Sequence, residues 1–112
     1  NQARHNDGLS FSELCGSIVK HLNKTGKAWI LLPCSELERF MKSAQQAKLT
    51  LDQKWWLSSR PQKAPHRVMF TLRHTSTLVV PAPDKQLTVH PEHGGEYSDE
   101  FKSLLCDFYL KL

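Results

Sequence analysis

Acidic residues are missing from one long stretch of the sequence. From Gln53 through Pro83 there is no Asp or Glu, although the stretch contains five cations: Lys54, Arg60, Lys63, Arg67 and Arg73. Residues 1–83 hold 12 Lys and Arg against 5 Asp and Glu, whereas residues 84–112 hold 3 against 6. The formal net charge of +4 is therefore concentrated in one part of the chain, which indicates a basic surface suited to an anionic partner.

Two further absences limit the class of protein. The sequence has no apolar run near the roughly 18 residues of a membrane span, and no charged-then-apolar leader. Its three cysteines, Cys15, Cys34 and Cys106, lack C-x-x-C spacing, so neither a disulfide framework nor a zinc knuckle is indicated. We therefore expect one soluble domain in a reducing cytoplasm with no membrane partner, and 112 residues suffice to bury a core.

Three segments have the pattern of a helix. In two of them Ser is followed three residues later by Glu, the capping-box pattern: Ser10 with Glu13 and Ser35 with Glu38. Apolar residues at helical spacing come next, so the pattern predicts helices over 11–22 and 36–47. The third helix is predicted to begin at Ser98, with acidic residues in its first turn and one apolar face: Phe101, Leu104, Leu105 and Phe108.

The predicted strands alternate with these helices. The apolar run AWILL (28–32) ends at Pro33 and is typical of a strand that lies centrally in a parallel sheet. Alternating patterns predict strands over 49–58 and 67–73, joined by SSRPQKAPHR, which we call the basic loop (58–67). Shorter segments complete the prediction: strands at Leu78–Pro81 and Leu87–His90 and a turn at His93–Glu96. The order indicates α/β layers, but with too few strands to pair both sides of 28–32.

Five segments follow one another in an order and spacing that fit one family. They are ARH (Ala3–His5), GLSFSEL (Gly8–Leu14), WILLPCSELERF (Trp29–Phe40), RPQKAPHRVMF (Arg60–Phe70) and GEYSDEFKSLLCDFYLKL (Gly95–Leu112). Together they resemble the C-terminal half of the bacterial tRNA-Val adenine N6-methyltransferase family. No segment is specific alone, but the match runs nearly end to end, and the tail ending in DFYLKL is its most distinctive part.

This resemblance implies an α/β fold, the C-terminal half of a Rossmann-like methyltransferase sheet. Strands 28–32, 49–58 and 67–73 would be the fifth, the sixth and the antiparallel, inserted seventh. Residues 1–112 would form a single partial domain, because the family's Gly-rich cofactor turn and Asn-Pro-Pro-Tyr motif lie upstream and neither sequence occurs here. The first residue is Asn1 and not Met, which also indicates a processed chain or a piece of a longer one.

The resemblance further implies that the parent protein uses S-adenosylmethionine to methylate the exocyclic N6 amine of an adenine in tRNA. The chain alone lacks the cofactor and catalytic motifs, so we expect it to be inactive. We expect its unpaired strand edge either to favour self-association or to be covered by the chain's own tail. The alternative function is a small stand-alone basic RNA-binding module without catalysis.

With tRNA as the partner, five residues are candidates for RNA binding: Arg4, His5, Arg60, Lys63 and Arg67. Arg and Lys of the basic loop would contact phosphates, which supply the salt-dependent part of affinity for nucleic acid. Arg4 and His5 would lie near the family's active-site loop. For both groups the alternative is a solvated surface that only keeps the protein soluble.

Two other groups of residues have a functional and a structural interpretation. Trp55 and Trp56 are adjacent, so in a strand they face opposite sides, and packing is favoured over stacking on a base. His90 and His93, with Glu92, have a spacing that suits a metal on a helix. The intervening proline and the glycines that follow favour a turn instead, so a zinc site is not indicated.

Because the Gly-rich cofactor turn does not occur in this sequence, we expect that the chain does not bind S-adenosylmethionine by itself. Calorimetric titration of this chain with S-adenosylmethionine is expected to give no measurable binding, because the backbone amides that hold the cofactor lie outside the chain. Titration of the cofactor into buffer is the control. A stoichiometric site with a micromolar dissociation constant would contradict this expectation.

Overall fold

The computed structural model describes residues 10–76, 83–90 and 97–110. Its elements, in chain order, are α1 (Phe11–His21), β1 (Ala28–Pro33), a 3-10 turn (Cys34–Glu36), α2 (Leu37–Gln46), β2 (Leu49–Ser58), β3 (Arg67–His74), β4 (Lys85–Thr88) and α3 (Asp99–Leu110). The strand predicted at 78–81 and the turn predicted at 93–96 lie outside the described residues. The strand predicted at 87–90 overlaps β4, which begins two residues earlier.

The strands form one sheet in the order β1-β3-β2-β4. β3 is antiparallel to both β1 and β2, whereas β4 is parallel to β2. Three strands therefore run in the same direction, and β3 is inserted between two of them in the opposite direction. This arrangement confirms the predicted fold class and the antiparallel insertion of 67–73, and it shows that the neighbours of the inserted strand are β1 and β2.

Two apolar clusters cover the two faces of the sheet. On one face α1 and α2 pack over a cluster that includes Phe40 and Phe70, whose ring centroids are 5.5 Å apart. On the other face α3 contributes Leu104 to a cluster with Trp55, Leu57 and Met69. Because Met69 and Phe70 are neighbours in β3 and point to opposite faces, the same strand supplies both cores.

A β-bulge in β2 changes which face its side chains cover. Leu51 pairs with Leu72 but Lys54 pairs with Phe70, so β2 carries one extra residue there. Leu51 therefore packs against the α1–α2 cluster, whereas Trp55 belongs to the cluster under α3. Within the bulge, the Gln53 amide donates to the Thr71 hydroxyl at 3.1 Å, which gives the buried Thr71 side chain a partner.

Trp55 and Trp56 cover opposite faces, as predicted for adjacent strand residues. Trp55 is 8% exposed and stacks with Trp29 at a centroid distance of 5.5 Å. Trp56 is partly buried against the α1–α2 cluster, and its indole N–H donates to the Asp84 carboxylate at 3.0 Å. Both indoles therefore serve packing, which leaves neither ring as an open platform for a base.

The first predicted capping box is confirmed and the second is wrong. At α1 the Ser10 hydroxyl accepts from the Glu13 amide at 3.1 Å, and the Glu13 carboxylate accepts from the Ser10 amide at 3.0 Å. These hydrogen bonds lower the pKa of Glu13.

At α2 the chain instead forms a 3-10 turn, and the N-cap is Glu36, without a side-chain cap. Ser35 lies inside that turn, so it cannot adopt the extended backbone that an N-cap hydroxyl needs. The predicted helix 36–47 is accordingly shortened to Leu37–Gln46.

β1 lies at an edge of the sheet, not at its centre. All six of its residues pair with β3, and among the described residues no strand pairs with its other side. Leu31 is 45% exposed there, so the expectation of a strand covered on both faces is wrong for this residue. The described part of the tail pairs with β2, at the opposite edge. The predicted open edge is therefore present among the described residues.

This open edge predicts self-association of the chain. No described strand pairs with the outer side of β1, so a strand of a second chain can pair there, and sedimentation velocity should detect dimers or larger species at micromolar concentration. Leu31→Lys should reduce association, because a charged side chain disfavours edge pairing. Gln45→Lys, which places the same charge on the exposed surface of α2 and away from both edges of the sheet, is the matched control and should not. A monomeric chain whose β1 amides exchange rapidly with solvent would contradict the prediction.

Candidate nucleic-acid interface

Three strands end at the same edge of the sheet. β1 ends at Pro33, β2 at Ser58 and β4 at Thr88, and β3 begins at Arg67 beside them. We call this the carboxyl edge, since it lies beyond the carboxyl ends of the three strands that run in the same direction. In open α/β sheets ligands bind in the crevice outside such an edge.

The basic loop lies on the carboxyl edge and is held there by backbone hydrogen bonds. The His66 amide donates to the Leu57 carbonyl at 2.9 Å, and the Cys34 amide donates to the His66 carbonyl at 3.1 Å. Within the loop, the Lys63 amide donates to the Arg60 carbonyl at 3.2 Å. Gln62 adopts a positive φ of 68°, which closes this tight turn. The loop is therefore anchored at its base to β2 and to the 3-10 turn that follows β1.

The five cations of the acid-free stretch have different surroundings. Lys54 lies 3.6 Å from the Asp84 carboxylate and 5.0 Å from the centroid of the Trp56 ring. Arg73 donates to the Asp52 carboxylate at 2.7 Å and to a backbone carbonyl. Two carboxylates that lie just outside the acid-free stretch in the sequence therefore form ion pairs with two of its cations in the folded chain. These two ion pairs stabilise the sheet and do not belong to the candidate interface.

The three cations of the basic loop remain at the carboxyl edge. Lys63 and Arg67 are exposed, and no carboxylate of the described residues lies within ion-pair distance of either. Arg60 is partly buried and already contacts the protein. The structure therefore brings Arg60, Lys63 and Arg67 together on one loop. Arg4 and His5, the other two candidates, lie outside the described residues.

The sequence prediction missed two aromatic residues on this edge. His90 and Tyr97 stack with ring centroids 5.3 Å apart and an interplanar angle of 27°. They are separated by six residues that the structure does not describe, so no periodic pattern links them in the sequence. The sequence groups His90 only with His93 and Glu92, in a weak metal-binding pattern, and those two residues lie outside the described residues. One sequence therefore gives no indication that these two rings stack on each other.

Among the described residues, the side chains of the carboxyl edge are suited to binding a ligand. Burial raises the pKa of the Cys34 thiol, so this group stays protonated near neutral pH and is a poor nucleophile. Among residues 10–76, 83–90 and 97–110, no group of three His, Cys, Asp or Glu is arranged to hold a metal ion. The side chains that this region presents to a ligand are cationic, together with one exposed aromatic ring.

The sheet identifies the structural class as a Rossmann-like methyltransferase fold. A predicted O-methyltransferase from Agrobacterium tumefaciens superposes with a TM-score of 0.60 over 88% of this chain and 46% of the other, at 8% sequence identity. Such a low identity supports the fold alone. No family model matches the chain, and none of the described helices is long and apolar enough to cross a membrane.

The chain is also similar in sequence to proteins of one particular name. Proteins named tRNA1(Val) (adenine(37)-N6)-methyltransferase match from Shewanella woodyi (35% identity over 113 residues) and Shewanella sediminis (36% over 113 residues). A third, from Shewanella loihica, is 35% identical over 117 residues. The first two matches cover 98% of this chain and 46% of the relative. The chain spans about half the length of these relatives and corresponds to their C-terminal half, which confirms the resemblance found in the sequence.

Proposed function

We propose that this chain is the C-terminal part of an S-adenosylmethionine-dependent methyltransferase that modifies the N6 amine of an adenine in tRNA. The observation that carries this proposal is the match of 98% of the chain to relatives of that name. The methyltransferase fold supports it. Within the parent protein, the chain completes the sheet and supplies contacts to RNA along the carboxyl edge. Such an enzyme works where tRNA is found, so we place it in the cytoplasm.

The contacts to RNA come from the basic loop. Lys63 and Arg67 are exposed and are free of the described carboxylates, so their charge is available to phosphate oxygens. Pro61, Pro65 and the hydrogen bonds at the base of the loop restrict its backbone, which reduces the entropy lost when RNA binds. Arg60 provides a third cation on the same turn. Arg4 and His5 remain proposed RNA contacts from the N-terminal segment.

The cofactor and the reaction belong to the other half of the parent protein. A cofactor of this kind is held by backbone amides at a Gly-rich turn between a strand and a helix. The turn after β1 contains Pro33, Cys34, Ser35 and Glu36 instead, and the two described glycines, Gly16 and Gly26, lie in α1 and before β1. The described residues therefore do not fit S-adenosylmethionine, and we propose that the chain alone is inactive.

A stand-alone basic RNA-binding module is the second candidate function, and the exposed cations of the basic loop favour it as well. The reading frame before Asn1 discriminates the two candidates. A Gly-rich cofactor turn and an Asn-Pro-Pro-Tyr motif upstream support the methyltransferase. A start codon directly before Asn1 supports the module.

A salt series tests the role of the basic loop in the complete protein. Replacement of Arg60, Lys63 and Arg67 by Ala should weaken tRNA binding and flatten the slope of log affinity against log salt concentration by roughly 2 to 3 units. Each single substitution should change this slope by nearly 1 unit, because each cation neutralises about one phosphate.

The matched control removes three exposed lysines elsewhere: Lys20 on α1, Lys42 on α2 and Lys85 at the start of β4. This control loses the same total charge but none of it from the basic loop, so its slope should stay close to that of the unmodified protein. Equal slopes for the loop variant and the unmodified protein would show that the loop is only a solvated surface.

A further inference from the structure

The aromatic pair His90 and Tyr97 has one ring open to solvent. Tyr97 is 50% exposed, and of the large hydrophobic residues that the structure describes only Leu31 is comparably open. The other neighbour of Tyr97 is Phe101, whose ring lies edge-on at a centroid distance of 5.3 Å and packs against the core under α3. Tyr97 is therefore supported from within by two rings while much of its own surface faces solvent.

Hydrogen bonds place this pair next to the basic loop. The Val89 amide donates to the Ser58 carbonyl at 2.7 Å, and the His90 amide donates to the Ser59 carbonyl at 3.0 Å. These bonds continue the pairing of β4 with β2 beyond the last residues of both strands. Since Ser59 directly precedes Arg60, the aromatic pair and the first cation of the loop are close neighbours on the carboxyl edge.

The position of Tyr97 is fixed by the residue that follows it. The Ser98 amide donates to the Val89 carbonyl at 2.7 Å, and the Ser98 hydroxyl donates to the Thr88 carbonyl. The same hydroxyl accepts from the Phe101 amide at 3.2 Å, so Ser98 also caps α3. Tyr97 is thus held between the end of β4 and the start of a helix. A ring fixed in this way loses little conformational freedom when a ligand stacks on it.

A rigid aromatic ring beside a basic loop suits single-stranded nucleic acid. Proteins that bind unpaired nucleotides combine a basic surface for the backbone with aromatic side chains on which bases stack. We propose that Tyr97, supported by His90, stacks on an unpaired base of the RNA whose phosphates contact the basic loop. This inference rests on the proposed function, because it takes RNA as the ligand of the carboxyl edge. It adds a specific contact to a base, which the cations alone do not provide.

Substitution of Tyr97 in the complete protein tests the proposal. Tyr97→Ala should lower the affinity for a tRNA transcript by about 5- to 150-fold, which corresponds to about 1 to 3 kcal/mol for the loss of one stacking ring. The slope of log affinity against log salt concentration should not change, because no phosphate contact is lost. Tyr97→Phe keeps the ring and is the matched control, so it should bind like the unmodified protein. Tyr97→Leu keeps an apolar contact with Phe101 but lacks a ring, so it should lose affinity as Tyr97→Ala does. It provides the test if the alanine variant folds poorly.

A fluorescent base gives an independent measurement. An RNA that carries 2-aminopurine at unpaired positions should lose fluorescence on binding to the unmodified protein and to Tyr97→Phe, because stacking quenches this base. With Tyr97→Leu the quenching should be reduced when the RNA is saturated with protein.

The outcomes separate this inference from the proposed function. If the unmodified protein binds tRNA and the loop variant weakens binding, but Tyr97→Ala and Tyr97→Leu bind normally, the stacking contact is wrong and the function stands. If both Tyr97 variants lose affinity and the salt slope flattens as it does for the loop variant, Tyr97 only holds the loop in place and the proposal is also wrong. If the unmodified protein does not bind tRNA at all, the proposed function and the stacking contact both fail.

Discussion

The pairing of β3 with two neighbours is the interaction on which the rest of the structure depends. β3 runs antiparallel between β1 and β2, and five consecutive residues, Val68–Leu72, are almost completely buried. Its alternate side chains supply Phe70 to the core under α1 and α2 and Met69 to the core under α3. Because a loop must carry the chain from the end of β2 back to the start of β3, the same pairing places the basic loop at the carboxyl edge. The position of β3 therefore determines both the packing on the two faces of the sheet and the location of the candidate interface.

Much of this architecture could be predicted from the sequence because it depends on local patterns. The capping box at Ser10 sets the start of α1, and the alternation in β3 sets its two faces. The bulge in β2 could not be predicted, since it depends on where β2 and β3 pair and not on the sequence of β2 alone. The second capping box failed for a related reason: the Cys34 amide is bonded to His66, a residue distant in the chain, and the turn that follows includes Ser35.

The candidate interface was predicted in part. The basic loop is evident in the sequence because its cations are close together and no acidic residue interrupts them. Counting charges overstated the basic surface, however, because Asp52 and Asp84 lie just outside the stretch and pair with Arg73 and Lys54 in the folded chain. The contribution of Tyr97 depends on the parallel pairing of β4 with β2, a tertiary contact that one sequence does not reveal. The structure was needed to find those residues of the interface that are distant in the sequence but lie together in the fold.

The central claim is that RNA lies along the carboxyl edge of this sheet, and site-specific cross-linking tests it most directly. A photoreactive benzoylphenylalanine in place of Ser59, an exposed residue at the start of the basic loop, should cross-link to tRNA when the complete protein is irradiated with it. The same amino acid in place of Lys42, which is exposed on α2, serves as the comparison. The account predicts efficient cross-linking from position 59 and little from position 42. Cross-linking from position 42 with none from position 59 would contradict it.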